Sequence, residues 1–479
     1  MPHFYPIPRP DGIVLDGAGL SGHHGPAQPH PTSLAMTDRI SLLESLIAKA
    51  KRLGAEAADA VVFDSVASSV SYRLGKLEEV ERSESNDLGL RVFIGKRQAA
   101  VASTDLSARA LDQLAERAVD MARTTPEDPY CGLAPRELLA KSWPSLDLED
   151  KHEPSSERLV ELAKNCEGAA REVKGITNSE GASGSWGRGA VALVTSEGFA
   201  GSYASTSVSV SVSVLAGEGT HMERDYDFSS AHHLADLGDA QAVGRSAAER
   251  TLKRLNPRKV STQSVPVVYD PRVSNSIIGH LAGAINGISI ARGTSFLKDK
   301  MGQRVFAEGI RIVDDPHMVR GVRSKPFDGE GVANRAMSLI EDGVLKTWLL
   351  DSAAARQLGL TTTGHAARGT GGPPSPSVSN LYLVPGKQTP EALIADIAQG
   401  FYVTELIGMG VNGVTGDYSR GAAGFWIENG KITYPVSEVT IAGNLNTMFP
   451  QMTPANDLIF KYGTNAPTLR IEGMTVAGS

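Results

Sequence analysis

The side chains that could hold a metal or act as a nucleophile are few, and their spacing works against both uses. The chain has 11 histidines and 2 cysteines. H-E-x-x-H, which sets two imidazoles on one helix face beside a general base, occurs nowhere. His221-Met-Glu223 has the H-x-E of zinc deaminases, but no P-C-x-x-C exists to complete that site. His232 and His233 are adjacent and lack companion acids at ligand spacing. No G-x-S-x-G elbow is present. Cys166 falls on the apolar stripe of a predicted helix and reads as a small core hydrophobe. His280, His317 and His365 are candidates to converge in the fold, although each alone reads as a hydrogen-bonded structural histidine. Gly408-Met-Gly410-Val-Asn-Gly413 matches G-x-G-x-x-G. A phosphate cradle needs a helix after that pattern, and here a hairpin follows, which argues against nucleotide binding.

The elements around these residues suggest an α+β protein of two domains, residues 36–260 and 261–479. With 479 residues, 41% of them hydrophobic, the chain can bury a large core. Its formal charge of −7 supplies no global field for nucleic acid. No apolar run approaches the roughly 20 residues that cross a bilayer. Two cysteines are too few for a disulfide framework, which points to a reducing, cytoplasmic setting. Residues 1–35 are rich in Pro, Gly and His and read as a disordered tail. Its His23, His24 and His30 lack fixed geometry, and Met36 is a candidate start. Helices are expected from Thr37 to Leu53, Ser107 to Ala122 and Ser156 to Arg171, and from Asp239 to near Pro257. Strands are expected at Val61–Phe63, Val70–Tyr72, Leu88–Ile94 and Ala99–Ser103. The clearest strand is Ser205–Leu215, where valine and serine alternate and the serine face is expected to be solvated. Lys253–Val265 reads as an interdomain linker whose basic residues complement a helix dipole. Beyond it Asp270-Pro271 opens one prominent helix. A β-rich remainder follows, with hairpin turns at Glu341-Asp342-Gly343 and Glu428–Lys431.

Several blocks are distinctive: Gly279-His-Leu-Ala-Gly-Ala-Ile285, Lys325-Pro-Phe-Asp-Gly-Glu-Gly331, Trp348–Leu350, Ala355–Gly359, Thr363–Ala366 and Gly413–Gly443. On these the chain, from Met36 onward, resembles the PmbA/TldE branch of the TldD/PmbA metallopeptidase family, formerly called modulators of DNA gyrase. The resemblance implies one subunit of a heterodimer that cuts extended or unfolded peptides. TldD-like chains of the family carry H-E-x-x-x-H on the helix matching Asp270–Asn286, and a late cysteine as a further zinc ligand. Here that helix reads Ser276-Ile-Ile-Gly-His-Leu-Ala-Gly-Ala-Ile-Asn, and no cysteine follows position 166. Zinc hydrolysis needs about three protein ligands and a base. The expectation is therefore no catalytic or metal residue and no cofactor in this chain, with zinc in a TldD-like partner.

What remains for this chain is shape. Asp417, Tyr418, Ser419 and Arg420, between Gly416 and Gly421, are expected on a loop at a cleft or interface. The competing reading is an Asp417–Arg420 pair that locks a turn. His365 and Arg368 form a second candidate patch, and His280 a third. Gly369–Pro376 reads as an exposed flexible loop over the cleft. Two alternatives stand beside this reading. One is an autonomous peptidase homodimer that assembles metal from His280 and His365. The other is a non-enzymatic modulator of DNA gyrase.

Overall fold

The computed structural model describes residues 36–478. The tail expected over residues 1–35, including its three histidines, lies outside the described residues. Amphipathic periodicity folds Met36–Arg52 into α1, which buries Leu43, Leu46, Ile47 and Ala50. β1 (Ala57–Arg73), β2 (Lys76–Ile94) and β3 (Arg97–Ser103) form an antiparallel meander. α2 (Ala108–Thr124) and α3 (Ser156–Arg171) are capped by Ser107 and Ser155. β4 (Ile176–Thr195), β5 (Ala200–Ala216) and β6 (Glu223–Ala231) complete a six-stranded sheet of order β3-β2-β1-β4-β5-β6. α4 (Ala240–Lys253), capped by Asp239, closes the first half.

Alternation decides the faces of this sheet. Ala58, Ala60, Val62 and Val70 of β1 and Val208, Val210, Val212 and Val214 of β5 pack under the four helices. The intervening serines face the other way. Ser207 is exposed, Ser209 and Ser185 share a 2.7 Å hydrogen bond, and Ser213 donates to Glu180 at 2.6 Å. The two strands expected at Val61–Phe63 and Val70–Tyr72 are one strand. The polar stretch between them keeps its ladder with β2, with Asp64 opposite Asn86 and Ser65 opposite Ser85.

In the second half, β7 (Gln263–Tyr269) leads into α5 (Pro271–Ala284) and α6 (Gly287–Ala291). β8 (Ile312–Asp315), β9 (Met337–Glu341), β10 (Val344–Leu345), α7 (Ser352–Leu358), β11 (Ala366–Ala367) and β12 (Ser375–Pro376) follow. Then come β13 (Asn380–Leu383), α8 (Pro390–Ile394), β14 (Gln399–Ile407), β15 (Asp417–Glu428), β16 (Lys431–Asn444), β17 (Met452–Pro454), β18 (Thr464–Asn465) and β19 (Leu469–Ala477). One sheet has the order β16-β15-β14-β7-β19-β17, and a further β16–β19 pairing closes five of its strands into a barrel. A second sheet has the order β10-β9-β8-β13-β18. α5 lies between them, touching β7 and β14 of one and β13 and β18 of the other. It buries Ile277, Ile278 and Leu281 there. This is the expected α+β class, with a β-rich second half. The turn at Asn429-Gly430 has φ of 51° and 73°, the type I′ geometry that Asn-Gly favours. The strand expected over Val344–Leu350 stops at Leu345, because Trp348, Leu349 and Leu350 turn into the core.

The two halves meet across the helix-free face of the first sheet. Val61, Leu193 and Phe199 pack there against Phe327 and Val332 of the second half. The run expected as a free loop, Gly369–Pro376, instead includes the β12 end of the β11–β12 hairpin. It docks on β2 so closely that a Cβ on Gly89 would sit 2.6 Å from the Thr370 carbonyl oxygen.

Candidate functional site

The helix expected to matter most is α5, and its position is set by its start. Asp270 Oδ1 accepts from the Arg272 amide at 2.9 Å, and Oδ2 accepts from the Tyr402 hydroxyl at 2.8 Å. One side chain thus caps α5 and ties it to β14. Nearly three turns along, His280 stands edge-on to Tyr418 of β15, with ring centroids 5.9 Å apart. Tyr418 in turn meets Tyr269 of β7, hydroxyl to hydroxyl, at 3.4 Å. Burial raises both phenol pKa values. Burial and then the nearby Arg420 charge lower the His280 imidazole to about 4, so at neutral pH it is uncharged. Its Nε2 is buried without a hydrogen-bond partner.

The Asp417–Arg420 segment is the start of β15, not a loop, and its alternation splits the four residues. Tyr418 and Arg420 point inward and are buried, while Asp417 and Ser419 are exposed. The Asp417–Arg420 pair does not form. Asp417 accepts from Thr415 Oγ1 at 2.6 Å and Asn444 Nδ2 at 2.9 Å, which hold its carboxyl below the usual range. The strand begins here because Asp417–Ala422 keeps an unbroken antiparallel ladder with Val439–Asn444.

His365 and Arg368 both have buried side chains, His365 among residues of the second half and Arg368 against Asp59 of the first. His365 Nδ1 lies 2.8 Å from Thr363 Oγ1, and Nε2 lies 3.3 Å from Asp314 Oδ2. Arg368 Nη1 lies 2.5 Å from Asp59 Oδ1, outside hydrogen-bond alignment, and Arg91 of β2 grips the same carboxylate. Burial opposes ionisation of Asp59, but the Arg368 and Arg91 charges outweigh it and hold the carboxyl down. The pairing keeps all three charged. Next to them, the Lys325–Gly331 block folds into a buried turn. Asp328 accepts from the amides of Glu330, Val332 and Ala366 at 2.9, 2.8 and 3.1 Å. Glu330, buried and close to Asp328, is pushed up to about 7.

Sequence reading named Arg368 but passed over its partners Asp59 and Arg91. A usable signal was present, since Asp59 and Arg91 interrupt apolar strand runs at positions that must face inward. A second junction uses Arg254, expected only to complement a helix dipole. It pairs with Glu405 across the halves and lies 3.4 Å from Glu223, while Arg272 donates to Asp225 at 2.7 Å. His317 is also structural, with Nε2 2.8 Å from Asn334 Oδ1.

The donors around His280 do not fit zinc. α5 offers one imidazole, and the charge that acts on it is the Arg420 guanidinium, which repels a cation. Among the described residues no group of three His, Cys, Asp or Glu is placed to hold a metal. No helix among them is long and apolar enough to cross a membrane.

A helix held between a barrel and a second sheet, joined to a long antiparallel sheet, defines a class with known members. Profiles described as PmbA/TldA metallopeptidase domain 1, central domain and C-terminal domain match residues 58–122, 149–255 and 262–478. A metalloprotease PmbA of Escherichia coli O157:H7 is 40% identical over 442 residues, 91% of this chain and 96% of that protein. The chain belongs to the PmbA/TldD metallopeptidase family. A crystal structure from Bacteroides thetaiotaomicron, described as a candidate modulator of DNA gyrase, superposes with a TM-score of 0.85. It is 27% identical and covers 92% of this chain and 99% of that one. TldE of Thermococcus kodakarensis shares the fold, with a TM-score of 0.82 at 21% identity over 91% and 100% of the two chains.

Proposed function

We propose that this chain is the TldE-like subunit of a cytoplasmic zinc peptidase built from two different proteins. In this reading a TldD-like partner carries the metal and the catalytic residues. This chain, arranged as domains 36–260 and 261–479, shapes the cleft in which an extended or unfolded peptide lies. The observation that carries the reading is Arg420 beside His280. A cation stands near the one imidazole of α5, where a metal subunit would need further ligands and a carboxylate base. The homodimer alternative asks His365 to reach a second chain. That side chain is 4% exposed and engaged with Thr363 and Asp314, so it would have to leave its core position first. The test is metal content and cleavage of an unfolded protein substrate, with and without a TldD-like partner. The purified chain should contain no stoichiometric zinc and cut nothing alone, and the pair should cut in a chelator-sensitive way. Chelator-sensitive cleavage by this chain alone would overturn the reading.

A further inference from the structure

We propose that Arg420, with Tyr418 and His280 beside it, forms a receptor for a carboxylate group of a bound peptide. Every other strongly buried arginine that this structure describes has an acid against it. Arg39 meets Asp64 at 2.9 Å, Arg91 and Arg368 share Asp59, and Arg272 meets Asp225. Arg420 is 9% exposed, yet among the described residues its only hydrogen bond runs from Nε to the Ile407 carbonyl oxygen at 3.4 Å, and it has no ion pair with any of them. Its terminal nitrogens are not among the buried unpartnered atoms, so they reach the surface, where a guanidinium without a counter-ion can take an anion from outside.

The surroundings complement that cation and add no competing negative charge. The acids on the neighbouring segments are already engaged, Glu405 by Arg254, Glu438 by Lys259 and Asp417 by Thr415 and Asn444. Tyr418 accepts from Tyr269, which leaves its own hydroxyl proton for another acceptor. His280 Nε2 is a second buried polar atom without a partner, and it is independent of the arginine. A single guanidinium matches a single negative charge, and its planar fork matches the two oxygens of a carboxylate. Nothing lies within 4 Å of where a Cβ on Gly279 or Gly283 would stand, so the outer surface of α5 around His280 is open to an extended backbone. Ile407, whose carbonyl oxygen accepts from Arg420, is 58% exposed and supplies an apolar contact at the rim.

The inference rests on the reading of this chain as a peptide-binding subunit, but its test needs neither a partner nor cleavage. The full chain, in chelator, is titrated with acetylated and amidated alanine pentapeptides carrying a central glutamate or a central glutamine. A third, all-alanine peptide has a free C-terminus. The expected result is that one or both carboxylate peptides bind about tenfold more tightly than the glutamine peptide, and the two arms separate a side-chain from a terminal carboxylate. The His280 ring resonance should move on binding, and its pKa should rise as the guanidinium charge is neutralised. Arg420→Gln should erase the preference and Arg420→Lys should keep part of it. Tyr418→Phe, which retains the ring in the core, should weaken binding several-fold. Equal binding of the three peptides, binding of none, or a preference that survives in a folded Arg420→Gln variant would each overturn the proposal. Zinc in the isolated chain, or cleavage by it, would overturn the subunit reading instead, so the two failures are distinguishable.

Discussion

Glu330 is a buried carboxyl next to Asp328, and its pKa on folding rises from 4.5 to about 7. The folded state therefore holds a proton that the unfolded chain releases between those values. Its contribution to stability is complete below the unfolded pKa and is lost as pH rises through the folded one. Glu330→Gln, uncharged throughout, is expected to flatten the fall of unfolding free energy between about pH 5 and pH 8. Urea unfolding at successive pH values reads this directly, and parallel curves for the two proteins would contradict it. His280 runs the other way. Its pKa falls from 6.5 to about 4, so the stability it protects is present above the unfolded value and is lost as pH drops toward the folded one.

At the scale of elements, close approaches and caps carry the cost of change. Gly244 lies where α4 crosses α3, and a Cβ there would meet the Cys166 carbonyl oxygen at 2.1 Å and the Ala170 amide at 3.0 Å. Backbone cannot yield as a side-chain tip does, so Gly244→Ala should cost about 1–3 kcal/mol by overpacking, although alanine favours helices. A gain in denaturation midpoint would refute this. Asp270→Ala removes the α5 cap and strands the Tyr402 hydroxyl, for an expected loss of about 1–3 kcal/mol. Asp270→Asn, whose Oδ1 can still accept from the Arg272 amide while its Nδ2 donates to the Tyr402 oxygen, should recover most of it in the same unfolding measurement.

For the whole molecule, two buried ionic junctions fix one half on the other. One is Asp59 with Arg91 and Arg368. The other joins Arg254 and Arg272 to Asp225 and Glu405. Buried pairs of this kind add orientation more than net stability, but removing one partner leaves uncompensated charge. Asp59→Ala strands two guanidinium groups and should cost on the order of 3–5 kcal/mol. It should also speed limited proteolysis in the connection at residues 254–262, because loosened halves let this already largely exposed segment open locally into a protease. Unchanged digestion would mean that the second junction suffices alone.

The sequence by itself determined the elements whose reason is local. The valine–serine alternation of β5, the Ser107, Ser155 and Asp239 caps and the Asn429-Gly430 turn need only their own neighbours to form. The family too was legible there, and so was the absence of H-E-x-x-x-H on α5. The tertiary structure decided what depends on partners distant in the chain. β1 is one strand because β2 and β4 carry its ladder through polar residues that look like a loop in isolation. Asp417 to Arg420 are a strand for the same reason, since β16 lies beside them. His365 and Arg368 read as a surface patch because their acids, Asp314 and Asp59, come from other strands. Arg420 mattered for the opposite reason. Only the packed molecule reveals a largely buried arginine that no acid of the described chain meets, because burial and pairing belong to the assembled core.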